Sequence, residues 1–301
     1  TADDASFAAN SVDLTIAGQT LIGNFSFEKL SSGPYAGSIL VTADSVGLNL
    51  GGGAVEITNA GGSLLLANTG IAADLTATVN VTVPDVSLDG VFKLRINTIP
   101  EAINDPALGL DLPAGPYIRL EGTGVALVIA GQSISGNLAV EQITTGARLS
   151  QVRIGVSDGR LAFGDGATEL VVASNINGSF LLTDAGVAGE ISASIATDPA
   201  LGADFAGDFA LAVNTTGMAV KDSMVVGGST VTIDVPAGPY LRVEGTNVSL
   251  TVANQTLSGN FAFEQITRTD TTKFTRVVAN NVTVSLGDGA NTFVHLTNGQ
   301  G

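Results

Sequence analysis

The chain reads as an all-β protein of long antiparallel strands laid out as tandem repeats. Three observations predict this: collinear internal repetition, apolar residues at a period of two, and tight-turn dipeptides at aligned places between the alternating runs.

Repetition is the strongest signal. Val12 to Glu28, Val125 to Glu141 and Val248 to Glu264 read almost alike, at spacings of 113 and 123 residues. Leu112 to Thr123 (Leu-Pro-Ala-Gly-Pro-Tyr-Ile-Arg-Leu-Glu-Gly-Thr) returns as Val235 to Thr246. Gly62 to Leu66 returns as Gly178 to Leu182, and Leu161 to Gly166 as Val284 to Gly289. These blocks divide the chain into repeat 1 (residues 1–112), repeat 2 (113–235) and a partial repeat 3 (236–301). The third breaks off where the second continues into its next strand, so an excerpt of a longer array is expected.

Alternation places the strands. Phe209, Leu211 and Val213 alternate with Asp208, Ala210 and Ala212; Val187, Ile191 and Ile195 share one parity, as do Val231, Ile233 and Val235. One face of such a strand packs and the other is small and polar. Six or seven long strands per repeat are expected, mostly joined as hairpins, with tight turns at Gly52-Gly53, Asp165-Gly166 and Asp288-Gly289, where positive φ is needed. The Gly-Pro-Tyr turns at 33–35, 115–117 and 238–240 contain all three tyrosines and are expected to mark strand entrances, since proline gives up a ladder donor. After the third, the apolar parity changes from Leu241 and Val243 to Val248, Leu250 and Val252. A β-bulge at Glu244-Gly245-Thr246 would switch the face. The Ala253-Asn-Gln-Thr256 turn would then fold Leu257 and Phe261 back onto Val252 and Val248. No segment carries a helical period. A parallel β-solenoid is the rival architecture, since Gly- and Asn-rich turns suit it too; the hairpin dipeptides and uneven strand lengths speak against it.

Composition narrows the function. The chain has 12 Lys+Arg against 28 Asp+Glu, a net charge of −16, so nucleic acid and anionic lipid surfaces are poor partners. Calcium is the cation such a surface would attract. With no cysteine, disulfides, thiolate metal sites and a Cys nucleophile are all excluded. Only 13% of residues are charged and the mean hydropathy is +0.38, so many strands must be buried or packed against neighbouring molecules. No stretch has the roughly 18 apolar residues of a membrane helix. A membrane barrel would want aromatic girdles, and tryptophan is absent.

The polar residues supply few candidates for chemistry. His295 is the lone histidine, and the repeat aligns it with Val172, so an imidazole is not required there. Asp105 to Asp111 and Asp198 to Asp204 are near-identical Asp-Pro loops with paired acids, and their four end carboxylates (Asp105, Asp111, Asp198 and Asp204) are the calcium candidates, to be weighed against plain solvated turns. The recurrent polar set is Gln19, Gln132 and Gln255; Asn24, Asn137 and Asn260; Glu28, Glu141 and Glu264. It reads either as a contact repeated along the array or as cross-strand polar pairing, with Glu264 folding back near Arg242 and Glu244; the second is favoured. Glycosylation sequons at Asn24, Asn80, Asn177, Asn214, Asn247, Asn254 and Asn281 lie mostly inside strand patterns. Sugar recognition would want aromatic platforms, which are missing. No acid/base cluster or cofactor motif is present, and no catalysis is expected.

The Pro-Ala-Gly-Pro-Tyr, Val-Glu-Gly-Thr and Gln-Thr-Leu-Ser-Gly-Asn-Phe blocks resemble repeats of very large secreted bacterial surface and adhesin-like proteins. The resemblance implies a cell-surface or matrix location, neighbouring repeats, further copies and other surface components as partners, and no catalytic residues. Two functions follow as expectations. One is a structural or adhesive segment of an extracellular filament. The other is a string of β-sandwich modules presenting loops to calcium, glycans or a protein.

Overall fold

The computed structural model describes residues 5–16, 19–50, 54–145, 149–164, 167–267 and 273–301. Apart from one 3-10 turn at Pro199–Leu201, regular structure among these residues is all strand. Sixteen strands form one antiparallel sheet. Repeat 1 contributes β1 (Ala5–Ile16), β2 (Gln19–Lys29), β3 (Ile39–Leu50), β4 (Val55–Ala67), β5 (Gly70–Val83) and β6 (Val86–Asn97). Two short strands, β7 (Ile103–Asp105) and β8 (Leu110–Leu112), leave the sheet as a hairpin. Repeat 2 returns with β9 (Tyr117–Ile129), β10 (Gln132–Thr145), β11 (Leu149–Gly164), β12 (Glu169–Thr183), β13 (Gly186–Thr197) and β14 (Ala203–Asn214). A second excursion follows, β15 (Val220–Val226) and β16 (Ser229–Val235), and then β17 (Tyr240–Val252), β18 (Gln255–Thr267), β19 (Lys273–Gly287) and β20 (Thr292–Gly299). Sheet order follows chain order from β1 to β20, skipping only the two hairpins, and does not close into a barrel. The expected antiparallel all-β architecture is what the chain adopts, and the parallel solenoid is not.

The local devices follow from the residues. Eight of the long strands, β1, β3, β4, β11, β12, β17, β19 and β20, carry a left-handed residue: Ser11, Ser45, Asn59, Asp158, Asn175, Asn247, Asn281 and Asn298 have φ between 51° and 54°. Asn, Asp and Ser tolerate this region because a short polar side chain bonds locally. In β17 the register shifts between Gly245 and Val248, with Asn247 left-handed. The apolar parity switches as expected, but Glu244 and Gly245 stay paired and the bulge falls at Thr246-Asn247, just beyond the expected Glu244-Gly245-Thr246. The turn after β17 uses two left-handed residues, Ala253 and Asn254, and sets Leu257 opposite Leu250 and Phe261 opposite Gly245. Both stay on the face of Val248 and Val252, but not in the direct pairs expected. At Asp288 the carboxylate accepts the amides of Ala290 and Asn291 and closes the β19–β20 turn. The turns expected at Gly52-Gly53 and Asp165-Gly166 lie outside the described residues.

Gly-Pro-Tyr is not one device but two. Tyr117 and Tyr240 open β9 and β17, each after a cis Gly-Pro peptide bond. Gly33-Pro34-Tyr35 instead lies in the turn between β2 and β3, and Tyr35 packs against a core cluster. The repeat spacing of 113 places this segment opposite residues 146–148, not opposite 115–117, so the shared tripeptide marks no shared position.

The chain forms two compact units, residues 1–127 with 138–152, and residues 128–137 with 153–301. Within each, the fully buried core lies between a hairpin and the small-residue face of the sheet. In the first, Ile103, Leu108, Leu110 and Leu112 of the β7–β8 excursion pack on Leu40, Leu65, Ala72 and Tyr117. In the second, Ile233 and Val235 of β16 pack on Leu181 and Ala188. Ala72 and Ala188, each 0% exposed, stand at aligned places, because only a small side chain lets the hairpin approach the sheet. The opposite, apolar face is only partly covered. The first unit keeps an apolar trough of about 370 Å³ there, walled by Leu21, Phe25, Leu48, Phe92 and Leu94. In the second, Val243 and Phe263 remain exposed on that face, and the stacked pair Phe205–Phe209 lies there with ring centroids 5.7 Å apart. The sequence predicted one packed and one small polar face; the tightest packing is on the small one.

Candidate functional site

The recurrent polar residues occupy this hairpin-bearing face or the strand ends beside it, and each position has a structural task. Asn24 and Asn260 use their side-chain carbonyls to accept the bulge amides of Ser11 and Asn247, at 3.0 Å and 2.8 Å. A bulge removes a ladder partner from that N–H, and the amide side chain of the next strand replaces it. The amide nitrogens of Asn137 and Asn260 continue the row to Asp158 (3.3 Å) and Asn280 (2.9 Å). Gln132 and Gln255 each form a two-bond pair with a backbone glycine two strands' length away in sequence: Gly164 N donates to Gln132 Oε1 at 2.7 Å, and Gln132 Nε2 donates to Gly164 O at 2.9 Å. Gln255 repeats this with Gly287. The Gln19 side chain lies outside the described residues.

The third position is an ionic cluster. Arg242 stands directly across from Glu264 in the β17–β18 register, as expected, and donates to Glu244 at 2.8 Å. Arg276 of β19 also bonds the Glu264 carboxylate, and Tyr240 Oη donates to it at 3.2 Å. Repeat 2 builds a similar group from Tyr117, Arg119, Glu121 and Glu141, with Arg119 to Glu121 at 2.9 Å, but Arg153, aligned with Arg276, bonds Asp222 of β15. In repeat 1 the positions aligned with the two arginines are Ser6 and Leu40, the residues that face Glu28. The sequence treated Glu28, Glu141 and Glu264 as equivalent; only the latter two are paired with arginine among the described residues.

Burial raises the Tyr117 phenol to about 12, helped by the neighbouring Glu141 and opposed by Arg95 and Arg119. A folded pKa above the unfolded value of about 10 means the folded state holds the proton more tightly. This contribution is complete below pH 10 and lost as pH rises toward 12. Tyr117→Phe is therefore expected to flatten the loss of stability between pH 9 and 11.5, measured as urea midpoint against pH.

Sequence reasoning missed the structural role of two fully buried polar residues, Asn97 and Asn214, both 0% exposed. Each clamps the base of a hairpin. Asn97 Nδ2 donates to Glu101 O (2.9 Å) and Pro113 O (2.7 Å), while its Oδ1 accepts from Ile99 N. Asn214 repeats the set with Met218 O (2.8 Å), Pro236 O (2.7 Å) and Thr216 N (2.8 Å). Beside them, Thr98 and Thr215 close matching two-bond pairs with Ile71 and Val187. The signal was present as Asn-Thr at an aligned place, spaced 117, but it lay outside the blocks of high identity. Burial with both amide protons engaged also closes the Asn214 sequon to glycosylation in the folded chain.

The two Asp-Pro loops prove to be different objects. Asp105 to Asp111 forms the turn of the β7–β8 hairpin, with Asp105 Oδ1 accepting from Ala107 N at 3.0 Å. Asp198 to Asp204 joins two sheet strands, with Asp198 Oδ1 accepting from Ala200 N at 2.7 Å as the cap of the 3-10 turn. Asp111 and Asp204 are exposed strand residues. Among the described residues no group of three or more His, Asp and Glu stands close enough to hold a metal ion. His295 sits exposed on β20, with Nδ1 2.9 Å from the Ser285 hydroxyl directly across the ladder. His295→Ala is expected to leave the thermal midpoint and the circular dichroism spectrum unchanged, since only one exposed contact is removed.

Beside the hairpin each unit has a polar groove on the same face. In the second unit it measures about 390 Å³ and runs along β16 over Glu190, Ser192, Ala210 and Ala212 toward Arg242. In the first it measures about 430 Å³ and is lined by the aligned Asp74, Thr76 and Lys93 with Gly109 of the short hairpin. No helix is long and apolar enough to cross a membrane among the described residues. No protein-family model, curated protein or solved structure matches this chain.

Proposed function

We propose that the chain is a structural or adhesive repeat segment of an extracellular filament or bacterial cell-surface protein, and that it works without catalysis. Its partners are the neighbouring repeats, further copies of the chain, and other surface or matrix components. One observation carries this reading. At the border between repeats 2 and 3, β14 and β17 pair antiparallel along nearly their whole length, from Ala203 opposite Val252 to Asn214 opposite Tyr240. Each repeat thus supplies the strand that covers its neighbour's open edge, and the sheet lengthens with every repeat added. A part-exposed apolar face and a net charge of −16 fit a surface that packs against like material and stays soluble elsewhere.

Electron microscopy of the purified chain at rising concentration checks this. Unbranched fibres with a regular axial repeat are expected. A monodisperse monomer up to millimolar concentration would sink the filament reading and favour independent binding modules. Calcium enters only as a weak structural cation at residues 105–111 and 198–204. A melting midpoint unmoved by chelation would remove it.

A further inference from the structure

We infer that the groove beside β16 is a docking site for a basic, extended polypeptide strand, which adds to the free edge of the β15–β16 hairpin and places a lysine or arginine over Ala210. This goes beyond the filament reading and stands apart from it, because a single chain can bind such a peptide whether or not it assembles.

The edge is defined by the register. Gly227 and Gly228, at φ 56° and 85°, make a two-residue turn between Val226 and Ser229. A hairpin closed this way hydrogen-bonds the flanking pair and every second pair after it. The pairs Val225/Thr230, Ser223/Thr232 and Lys221/Asp234 are then the unbonded ones, and the backbone groups of Thr230, Thr232 and Asp234 point out of the hairpin. Asp234 confirms the direction, for its N–H donates to Glu190 Oε2 on β13 at 2.8 Å. Thr230 and Thr232 face the groove with no backbone partner outside the hairpin among the described residues. An edge of this kind accepts an added strand. The floor below is small, with Ser192, Ala210 and Ala212, and leaves room for side chains pointing down.

The other repeat identifies the charge. In repeat 1, Lys93 of β6 sits at the place of Ala210 and its Nζ lies 3.1 Å from Asp74 Oδ1. Asp74 is aligned with Glu190: both stand two residues after the buried alanine of their strand. Repeat 1 therefore fills the position over the carboxylate with its own lysine. Repeat 2 keeps the carboxylate and replaces the lysine by alanine, in a groove bounded by a hairpin whose strands are 7 residues long where repeat 1 has 3. Glu190 makes the fit to a cationic strand electrostatic as well as steric, while Glu244 at the groove's end is already engaged by Arg242.

Calorimetric titration of the full chain tests this with three synthetic nine-residue peptides of alternating valine and a second residue. The second residue is lysine in one and glutamate in another; the third is the lysine peptide with alternate backbone amides N-methylated. The lysine peptide is expected to bind about tenfold or more tightly than the other two, a difference of the size one charge-assisted contact plus lost ladder bonds supplies. Ala210→Lys, which installs the lysine of repeat 1, should abolish the preference without disturbing the hairpin. Thr232→Pro should weaken binding as much, because it deletes an outward N–H that the hairpin does not use. Equal binding of lysine and glutamate peptides, or binding indifferent to N-methylation and to both substitutions, overturns the proposal; the second pattern would mean simple counterion attraction to an acidic surface.

Discussion

Asn214→Asp is expected to destabilise the second unit by about 3 kcal/mol or more, the range for a buried charge facing unsatisfied acceptors. The wild-type amide donates to Met218 O and Pro236 O, one carbonyl at each end of the β15–β16 excursion, and accepts the Thr216 amide. A carboxylate of the same shape has no protons to give. It would set negative oxygen against two carbonyls at a site with no exposed surface. Asn214→Ala removes the clash but orphans both carbonyls and one N–H, so a smaller loss is expected. The same order should hold at Asn97, whose bonds to Glu101 O and Pro113 O are the same in kind. Urea unfolding followed by circular dichroism reads the effect, and exchange protection at Val231 and Ile233 locates it. A change below 1 kcal/mol for Asn214→Asp would mean that the hairpin base is held by its apolar contacts alone.

Repeat number is expected to set stability. A polypeptide of residues 113–235 ends the sheet at β9 and β14, two strands of 13 and 12 residues that would present unpaired edges on both sides. In the longer chain β14 is covered by β17 over eleven register pairs. Long uncovered edges invite pairing with other copies, and a one-dimensional array gains stability from each interface between neighbours. The single repeat should therefore melt about 10 °C or more below residues 113–301, or aggregate, which is the shift expected when an interface worth a few kcal/mol is lost from a domain of this size. Thermal unfolding of the one-repeat, two-repeat and full chains at equal repeat concentration measures it. Equal midpoints with a soluble, monomeric single repeat would establish independent domains and remove the main support for a filament.

Strand type, antiparallel pairing and the parity switch in β17 were legible because each depends on neighbours in sequence. Period two assigns faces, left-handed Asn and Gly assign turns, and Arg242 lies opposite Glu264 once the Ala253-Asn254 turn fixes the register. The recurrence of Gln, Asn and Glu likewise announced that these positions matter. Their tasks did not show, because each is set by a partner on another strand: a bulge amide for Asn260, a backbone glycine 32 residues away for Gln255.

Only the tertiary structure decided which face is the tightly packed one and which like-looking segments are equivalent. The hairpins fold onto the small-residue face because close approach of two backbones needs alanine or serine between them, a requirement that hydrophobicity along one strand does not express. Asp105-Pro and Asp198-Pro share six residues yet close different connections, and Gly33-Pro34-Tyr35 shares a tripeptide with strand entrances but lies in a turn. A short motif fixes local dihedrals; its place in the fold is fixed by what lies 20 to 100 residues away. The chain itself determined an antiparallel, repeating sheet with no cysteine and a strongly acidic surface. The clamp at Asn97 and Asn214, the arginine pairing that separates Glu141 and Glu264 from Glu28, and the open edge of β16 over Ala210 exist only where strands distant in sequence meet, since burial and charge pairing are properties of neighbours in space.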